Sequence, residues 1–533
     1  MATSMHDQLN KITSKVRDTI DCITPNSTPS TRTDSMSVGQ YLAKYLLHIN
    51  VDTIFVVPGD YNLVLLDELL KPISTIGTST QQLSMICCTN ELNTGYSTDG
   101  YTRIHGISAC VITHSVGSLS CINAVAGAYA EHLPLICISG GLNSNSVTDG
   151  EIIHHSLTDT HFNQYDYVRQ MYTHVTVCAV SITRAADAPH LIHQAISAAL
   201  RHSRPVLIDI SCNVAALNVN NIYSMKPIVL PNVKKMRHID TDTDSLNAAV
   251  LHVIDMINSS QCNTIITGQH LRPFTIWNNT PQNNDVIRLI ELLDTAFVAL
   301  LDGKTMLDES HANYLGIYSA ASSVVPGMCG NNDASGGNAI NQLIQKCDLL
   351  IYIGCVLSDY TTAGHSLRTD IECCIYIDQE SVTVQGQIYH NIQLYDFITE
   401  LVKQGTNSIK PNKQSLLLYK QLRRAASSKY TASDRVLHEI NMKLSRFPLN
   451  LDDTALITTN TLNYKLQDML DRAIESNQSY HIISETGDAW FHCMKLKLSY
   501  PHTMDIQMQY VCTSRNTVQM IFVPTHYSTL YYQ

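Results

Sequence analysis

Thr53–Val57 reads TIFVV and runs straight into Pro58-Gly59-Asp60. An apolar, β-branched run closed by Pro-Gly spells a short buried strand ending in a turn. Ahead of it, Ser37 is placed to cap a helix whose apolar residues Val38, Tyr41, Leu42, Tyr45, Leu46 and Ile49 recur at helical spacing. Behind it the strand signal repeats, as SMICC at 84–88, SACVIT at 108–113, LICIS at 135–139 and RPVLIDI at 204–210, with helical stretches between. Near-continuous apolar strands that alternate with helices predict a parallel sheet covered on both faces.

A second alternating set follows, with NTIIT at 263–267, AFVALL at 296–301, LLIYIG at 349–354 and CCIYID at 373–378. The fold class expected is therefore α/β, multidomain, with doubly wound parallel sheets. Residues 1–36, Ser/Thr/Asn/Pro-rich at their end, read as a flexible leader. The first α/β domain is expected over 37–225 and the second over 240–403. The polar stretch 404–455 reads as a linker. A third, incomplete domain is expected over 456–533, opening with a helix, the strand YHIIS and then Glu485-Thr486-Gly487-Asp488. About 80 residues are too few for another doubly wound domain of the first one's size.

The net charge of −11 comes with no basic stripe, which argues against a nucleic-acid partner. No apolar run is long enough to span a bilayer, so no membrane association is expected. The N-terminal segment lacks the apolar core of a secretory signal, and Asp7, Asp18 and Asp21 disfavour a transit peptide. A cytoplasmic location is the expectation. None of the sixteen cysteines forms a C-x-x-C pair, which predicts buried free thiols in a reducing compartment and no zinc site.

The residues with chemical potential sit at strand ends. Asp60 closes V-P-G-D-Y-N-L, where a turn aspartate is commonplace but where open α/β sheets also bind ligands. Glu91 begins a helix in N-E-L-N-x-x-Y-x-x-D-G-Y-x-R, and the helix dipole alone could explain its place. Thr113 ends a strand in V-I-T-H-S-V-G. His154 and His155 follow G-G-L-N-S-N-S-V-T-D-G in a long loop, although 23 histidines in 533 residues make one adjacent pair unsurprising. Thr486 and Gly487 lie in S-E-T-G-D-A-W-F. Ser335-Gly336-Gly337, ahead of a helix, is a weak phosphate-loop signal and reads as structural.

Taken together these segments resemble the thiamine-diphosphate-dependent 2-oxo-acid decarboxylases, within which the pyruvate-specific branch is the most similar. The resemblance implies a pyrimidine-binding domain, a central domain and a diphosphate-binding domain, in that order. It implies thiamine diphosphate and Mg2+ as cofactors, and a 2-oxo acid, pyruvate first, as the substrate, split to acetaldehyde and carbon dioxide as in fermentation. By resemblance Glu91 hydrogen-bonds the cofactor's aminopyrimidine and so promotes loss of the thiazolium proton, a role for a carboxylic acid in an apolar place. Thr113 lines the cofactor ring. Asp60 and the histidines, His155 foremost, face the substrate and handle protons, work suited to imidazole. Thr486 and Gly487 correspond to the first cofactor-contacting stretch of the third domain. The site is shared between subunits in this family, which implies homo-oligomers, dimers or tetramers.

The resemblance covers about residues 37–510. The Tyr-rich text after Tyr510 matches nothing in the family, and a frameshift, retained intron or alternative exon is the expected cause. The family holds metal and diphosphate with a Gly-Asp-Gly stretch and paired asparagines, and these 533 residues contain no Gly-Asp-Gly. A second expectation therefore stands beside the first: a catalytically silent relative that acts in hetero-oligomers with an intact decarboxylase.

Overall fold

The structure is a computed structural model. It describes residues 36–74, 80–157, 165–219, 241–272, 284–327, 331–427, 459–476, 478, 480–498, 504–508, 510 and 528–532. The expected leader, apart from Met36, lies outside these residues, as do 511–527 and the later part of the expected linker.

Helix α1, Val38–His48, starts as the sequence predicts. Ser37 Oγ accepts from the Gln40 amide while Gln40 Oε1 accepts from the Ser37 amide, a reciprocal cap. Six parallel strands follow: β1 Thr53–Val56, β2 Ser84–Cys87, β3 Ser108–Thr113, β4 Leu135–Gly141, β5 Cys178–Ile182 and β6 Val206–Ser211. They lie in the order β2-β1-β3-β4-β6-β5. Alternation along each strand serves both faces. Ile54, Val56, Ala109, Val111, Ile136 and Ile138 enter the core under α1, whereas Phe55, Cys110, Ile112, Leu135 and Cys137 enter the core on the other side. That opposite core is covered by α2, Glu91–His105, and α3, Val116–Ala130. Strand β2 departs from the expectation of burial. It is the edge strand, Met85 is 38% exposed and Cys87 is exposed, because only one neighbour covers it.

The second sheet holds β7 Asn263–Thr267, β8 Ala296–Ala299, β9 Tyr314–Ile317, β10 Leu349–Ile353, β11 Cys374–Ile377, β12 Ser381–Val384 and β13 Gln387–His390. Its order is β9-β8-β7-β10-β11-β12-β13. It is parallel as far as β11, but β12 and β13 run antiparallel, so the sheet is mixed where a fully parallel one is expected. The reason is local. Only residues 378–380 join β11 to β12, too few for a crossover, and Gln385 (φ 49°) and Gly386 (φ 80°) then take the left-handed conformation of the two-residue turn from β12 to β13. Ser335-Gly336-Gly337 lies inside the helix Asn331–Lys346 rather than before it. A Cβ on Gly337 would stand 1.7 Å from Ser323 O, so close backbone packing accounts for that glycine.

The stretch expected as linker begins as ordered helix. Leu394–Ser408 runs past residue 404, and Gln414–Ser427 follows. Tyr419 is buried and Leu416, Leu418 and Leu422 pack on the second core, a helical apolar stripe that the surrounding polar residues obscure. In the third region Thr459–Glu475 is helical, and β14 Tyr480–Ser484 pairs in parallel with β15 Met504–Asp505 and β16 Ser528–Tyr532. The region past Tyr510 thus contributes a strand to this sheet.

Buried polar groups join the three regions. Lys304 Nζ bonds Glu309 (2.6 Å) and Leu496 O (2.8 Å), and Leu498 N donates to the same Glu309. Between the first and second regions, Arg204 stacks over Tyr129 and donates to His132 Nε2 (2.6 Å), while His132 and His270 rings lie 4.2 Å apart. Burial pushes both imidazoles down, with the neighbouring Arg204 adding to it: His132 to about 2 and His270 to about 4. Unfolded histidine titrates near 6.5. The depressed values mean stability is fully present above 6.5 and is lost as pH falls from there towards 4. Urea unfolding is expected to weaken by about 1.4 kcal/mol per pH unit per histidine in that window. His270→Gln should reduce that slope, and an unchanged slope would assign the acid sensitivity elsewhere.

Candidate active site

Two local structures converge at the C-terminal end of β1. The first is the turn after the strand. Asn62, fully buried, accepts from Gly59 N (2.9 Å) and donates to Val57 O (2.9 Å), which fixes the direction in which Asp60 leaves the sheet. Gly59 is bare for a reason: a Cβ there would stand 2.9 Å from Thr113 Cβ at the end of β3. The second is the start of α2. Asn90 caps it by accepting from Asn93 N (2.8 Å), which sets Glu91 in the first turn. Glu91 leans over the start of α3, where a Cβ on Gly117 would lie 3.1 Å from Glu91 Oε1 and 3.1 Å from Thr113 Cγ2. Thr113 Oγ1 is buried and has no hydrogen-bond partner. Glu91, Thr113, Gly117 and Gly59 therefore form one continuous surface at the strand ends.

The histidine pair comes back over Asp60. His154 Nε2 bonds Asp60 Oδ2, and Tyr61 Oη reaches both His154 Nδ1 (3.1 Å) and His154 O (3.0 Å). The Tyr61 and His154 rings stack at 4.9 Å, and His155 meets His154 edge-on at 4.7 Å. Burial opposes ionisation of Asp60, but the His154 hydrogen bond, the charges of His154 and His155 and the Tyr61 amide outweigh it and hold the carboxyl below its ordinary range. Burial first, and Asp60 second, push Tyr61 up to about 12, so its hydroxyl stays a donor.

This geometry serves His154 in either charge state. A carboxylate only accepts, so Nε2 carries hydrogen in both. In the neutral ring Tyr61 donates to Nδ1. In the cation Nδ1–H donates to Tyr61 Oη, and the tyrosine turns its proton to His154 O. A histidine whose partners accept both states without moving is suited to transferring protons. His155 is held differently. Its φ of 68° is strained for a side chain larger than glycine, its Nδ1 is buried without a partner, and Tyr167 Oη bonds its carbonyl (3.0 Å) as well as Ser115 Oγ (2.6 Å).

Asp60, Glu91, Thr113, His154 and His155 thus gather at one end of one sheet. Among the described residues, no hydrogen bond or close glycine contact ties Thr486 or Gly487 to them. Thr486 N bonds Glu485 Oε1 (2.9 Å), and a Cβ on Gly487 (φ 80°) would meet nothing within 4 Å. Sequence reading misses Tyr61, His114, Ser115 and Tyr167. Tyr61 and His114 stand inside motifs already singled out, but their partners are brought in by tertiary folding. His114 is buried, 3.8 Å from Asp209 Oδ1, with its ring edge-on to Tyr61 and Tyr167.

The pyrimidine end of thiamine diphosphate fits the Glu91 surface: a carboxylate, an orphaned buried hydroxyl on Thr113 and two glycines whose side chains would fill the approach. The donors for a divalent metal are less complete. Among the described residues, groups of three His, Cys, Asp or Glu ligands occur at Asp60-His154-His155 and at Cys110-Cys121-Cys137, and neither lies at Thr486-Gly487.

The chain is similar to known proteins over most of its length. Residues 36–167 match the N-terminal TPP-binding domain of thiamine pyrophosphate enzymes, and residues 250–404 match the central domain of the same enzymes. Pyruvate decarboxylase 3 of Arabidopsis thaliana is 31% identical over 493 residues, which span 92% of this chain and 72% of that protein. Pyruvate decarboxylase 2 of Oryza sativa subsp. japonica is 30% identical over 89% of this chain and 68% of its own length. Pyruvate decarboxylase 1 of Pisum sativum is 30% identical, covering 89% and 69%.

Proposed function

We propose a role for this chain from one premise: it belongs to the thiamine-diphosphate-dependent pyruvate decarboxylase family of 2-oxo-acid decarboxylases. The reaction proposed is non-oxidative decarboxylation of pyruvate to acetaldehyde and carbon dioxide, with Mg2+ alongside the cofactor. The observation that carries it is the convergence of Asp60, His154 and His155 on the strand ends that also present Glu91 and Thr113.

Thiamine diphosphate, when bound, supplies the nucleophilic carbon and the electron sink that a 2-oxo acid needs to lose carbon dioxide. Glu91 holds a proton at the aminopyrimidine. Thr113, with the bare backbone at Gly117, orients that ring. Asp60, kept ionised by its histidines, fixes His154, and His154 with His155 returns a proton to the substrate carbon after carbon dioxide departs. Tyr61 keeps His154 in register. Asp60→Asn is expected to lower kcat by about two to four orders of magnitude and to flatten its dependence on pH near neutrality. Acetaldehyde release measured from about pH 5 to 8 checks this, and an unaltered profile removes Asp60 from the proton path.

A reducing, cytoplasmic setting is part of the proposal. It rests on the sixteen cysteines, none of which forms a C-x-x-C pair. A second reading rests on the open space beside Gly487, where a Cβ would meet nothing within 4 Å. In it the Glu91 surface is completed by the third region of another chain, in a homo-oligomer or with a relative that carries Gly-Asp-Gly. Mixing with such a relative should raise activity above the relative alone, and no gain rejects this reading.

A further inference from the structure

Sequence spacing gives no hint that Cys110, Cys121 and Cys137 belong together. Strands β3 and β4 pair with Cys110 directly opposite Cys137, and α3 brings Cys121 down onto them. The three Sγ atoms lie within 4.8 Å of one another, and all three residues are 0% exposed. Gly95 of α2 permits this approach, since a Cβ there would stand 2.9 Å from Cys121 Sγ. Cys137 Sγ donates to Tyr172 Oη (3.8 Å), which itself donates to Ser118 O. Around them Phe55, Ile112, Val125, Leu133 and Leu135 are apolar.

The charge balance selects the ligand. Three thiolates around a monovalent or divalent soft cation leave a net negative charge, which is costly in an apolar core. Outside the cluster Glu91 bears on Cys121, and a carboxyl brings no positive charge to offset that of the thiolates. Three thiolates around a trivalent metalloid are neutral. We propose that Cys110, Cys121 and Cys137 form a binding site for arsenic(III), taken up from arsenous acid. Three S–H and three As–O bonds break and three As–S bonds form. Each thiol proton leaves with a hydroxide as water, and arsenic stays in the +3 state, so no redox partner is needed. Arsenous acid is small and uncharged at neutral pH, and therefore able to enter through local opening of the core.

The test uses the full chain, reduced and then freed of thiols, incubated with sodium arsenite. Arsenic-edge X-ray absorption should show three sulfur neighbours, and native mass spectrometry a gain of one arsenic less three hydrogens. Cys262→Ala removes the competing pair with Cys347 and should leave both results unchanged. Cys121→Ala should abolish three-sulfur coordination. Two sulfurs with an oxygen in the unmodified chain, loss of binding in Cys262→Ala, or unchanged three-sulfur binding in Cys121→Ala would each overturn the site. The absorption measurement on the unmodified chain stands even if Cys121→Ala fails to fold.

Discussion

Glu91→Gln should depress acetaldehyde formation by about two to four orders of magnitude, the range for removing one positioned acid–base group. Glutamine preserves the shape of the side chain that rests on Gly117 and Thr113, so the strand-end surface survives. What it removes is the ability to hold and give up a proton. The loss should therefore fall on kcat rather than on KM for pyruvate, because the proposed roles set Glu91 against the cofactor and Asp60 with the histidines against the substrate. Urea unfolding should be unaltered within about 0.5 kcal/mol, as for other changes that disturb no core contact. A variant with undiminished kcat would remove Glu91 from the chemistry. One with normal kcat but a collapsed unfolding midpoint would make it a structural carboxylate at a helix start.

The second large effect is on stability. Asp505 on β15 accepts from Arg272 of the second region, pairs with His481 Nε2 (2.9 Å) and lies 3.5 Å from Arg103 of the first. Arg103 in turn bonds Asp99 (2.8 Å), Glu131 (3.4 Å) and Ile506 O (3.1 Å), and Glu131 accepts from Met508 N (3.0 Å). Burial raises the cost of charging Asp505, yet Arg272, His481 and Arg103 overcome it and hold its carboxyl well below the ordinary range. Asp505→Asn leaves the buried Arg103 and the partly buried Arg272 without this counter-charge. The expected loss is about 3–5 kcal/mol, the usual result of removing one partner from a buried ion pair. The linkage has a definite sign. A depressed carboxyl gives stability that is present above its unfolded value and is lost as pH falls through the folded one. The wild-type advantage over Asp505→Asn should then hold at neutral pH and shrink only in strong acid. Equal unfolding midpoints for the two chains at neutral pH would contradict this.

Much of the fold is local and therefore readable. TIFVV, SACVIT and LICIS become strands because both faces of the first sheet are covered, which makes continuous apolar text informative. Ser37 and Asn90 announce helix starts by chemistry confined to a single turn. The same logic exposes Asp60 and Glu91, which sit at element boundaries. What depends on distant partners is not readable. Tyr61 acquires its part only when the 151–157 segment folds back over β1, and Asp505 only when three regions meet. The helix Gln414–Ser427 reads as linker because its polar face dominates its composition, although Tyr419 reaches the core. Cys110 and Cys137 become neighbours through strand register, which spacing along the chain does not reveal.

The surface made by Asp60, Glu91, Thr113, His154 and His155 is proposed to work on a 2-oxo acid with thiamine diphosphate. Its most direct test is acetaldehyde produced from pyruvate by the purified full chain in excess thiamine diphosphate and magnesium. Saturable production that disappears without the cofactor and in Glu91→Gln is the expected result. Background acetaldehyde from a folded chain at saturating cofactor would contradict it.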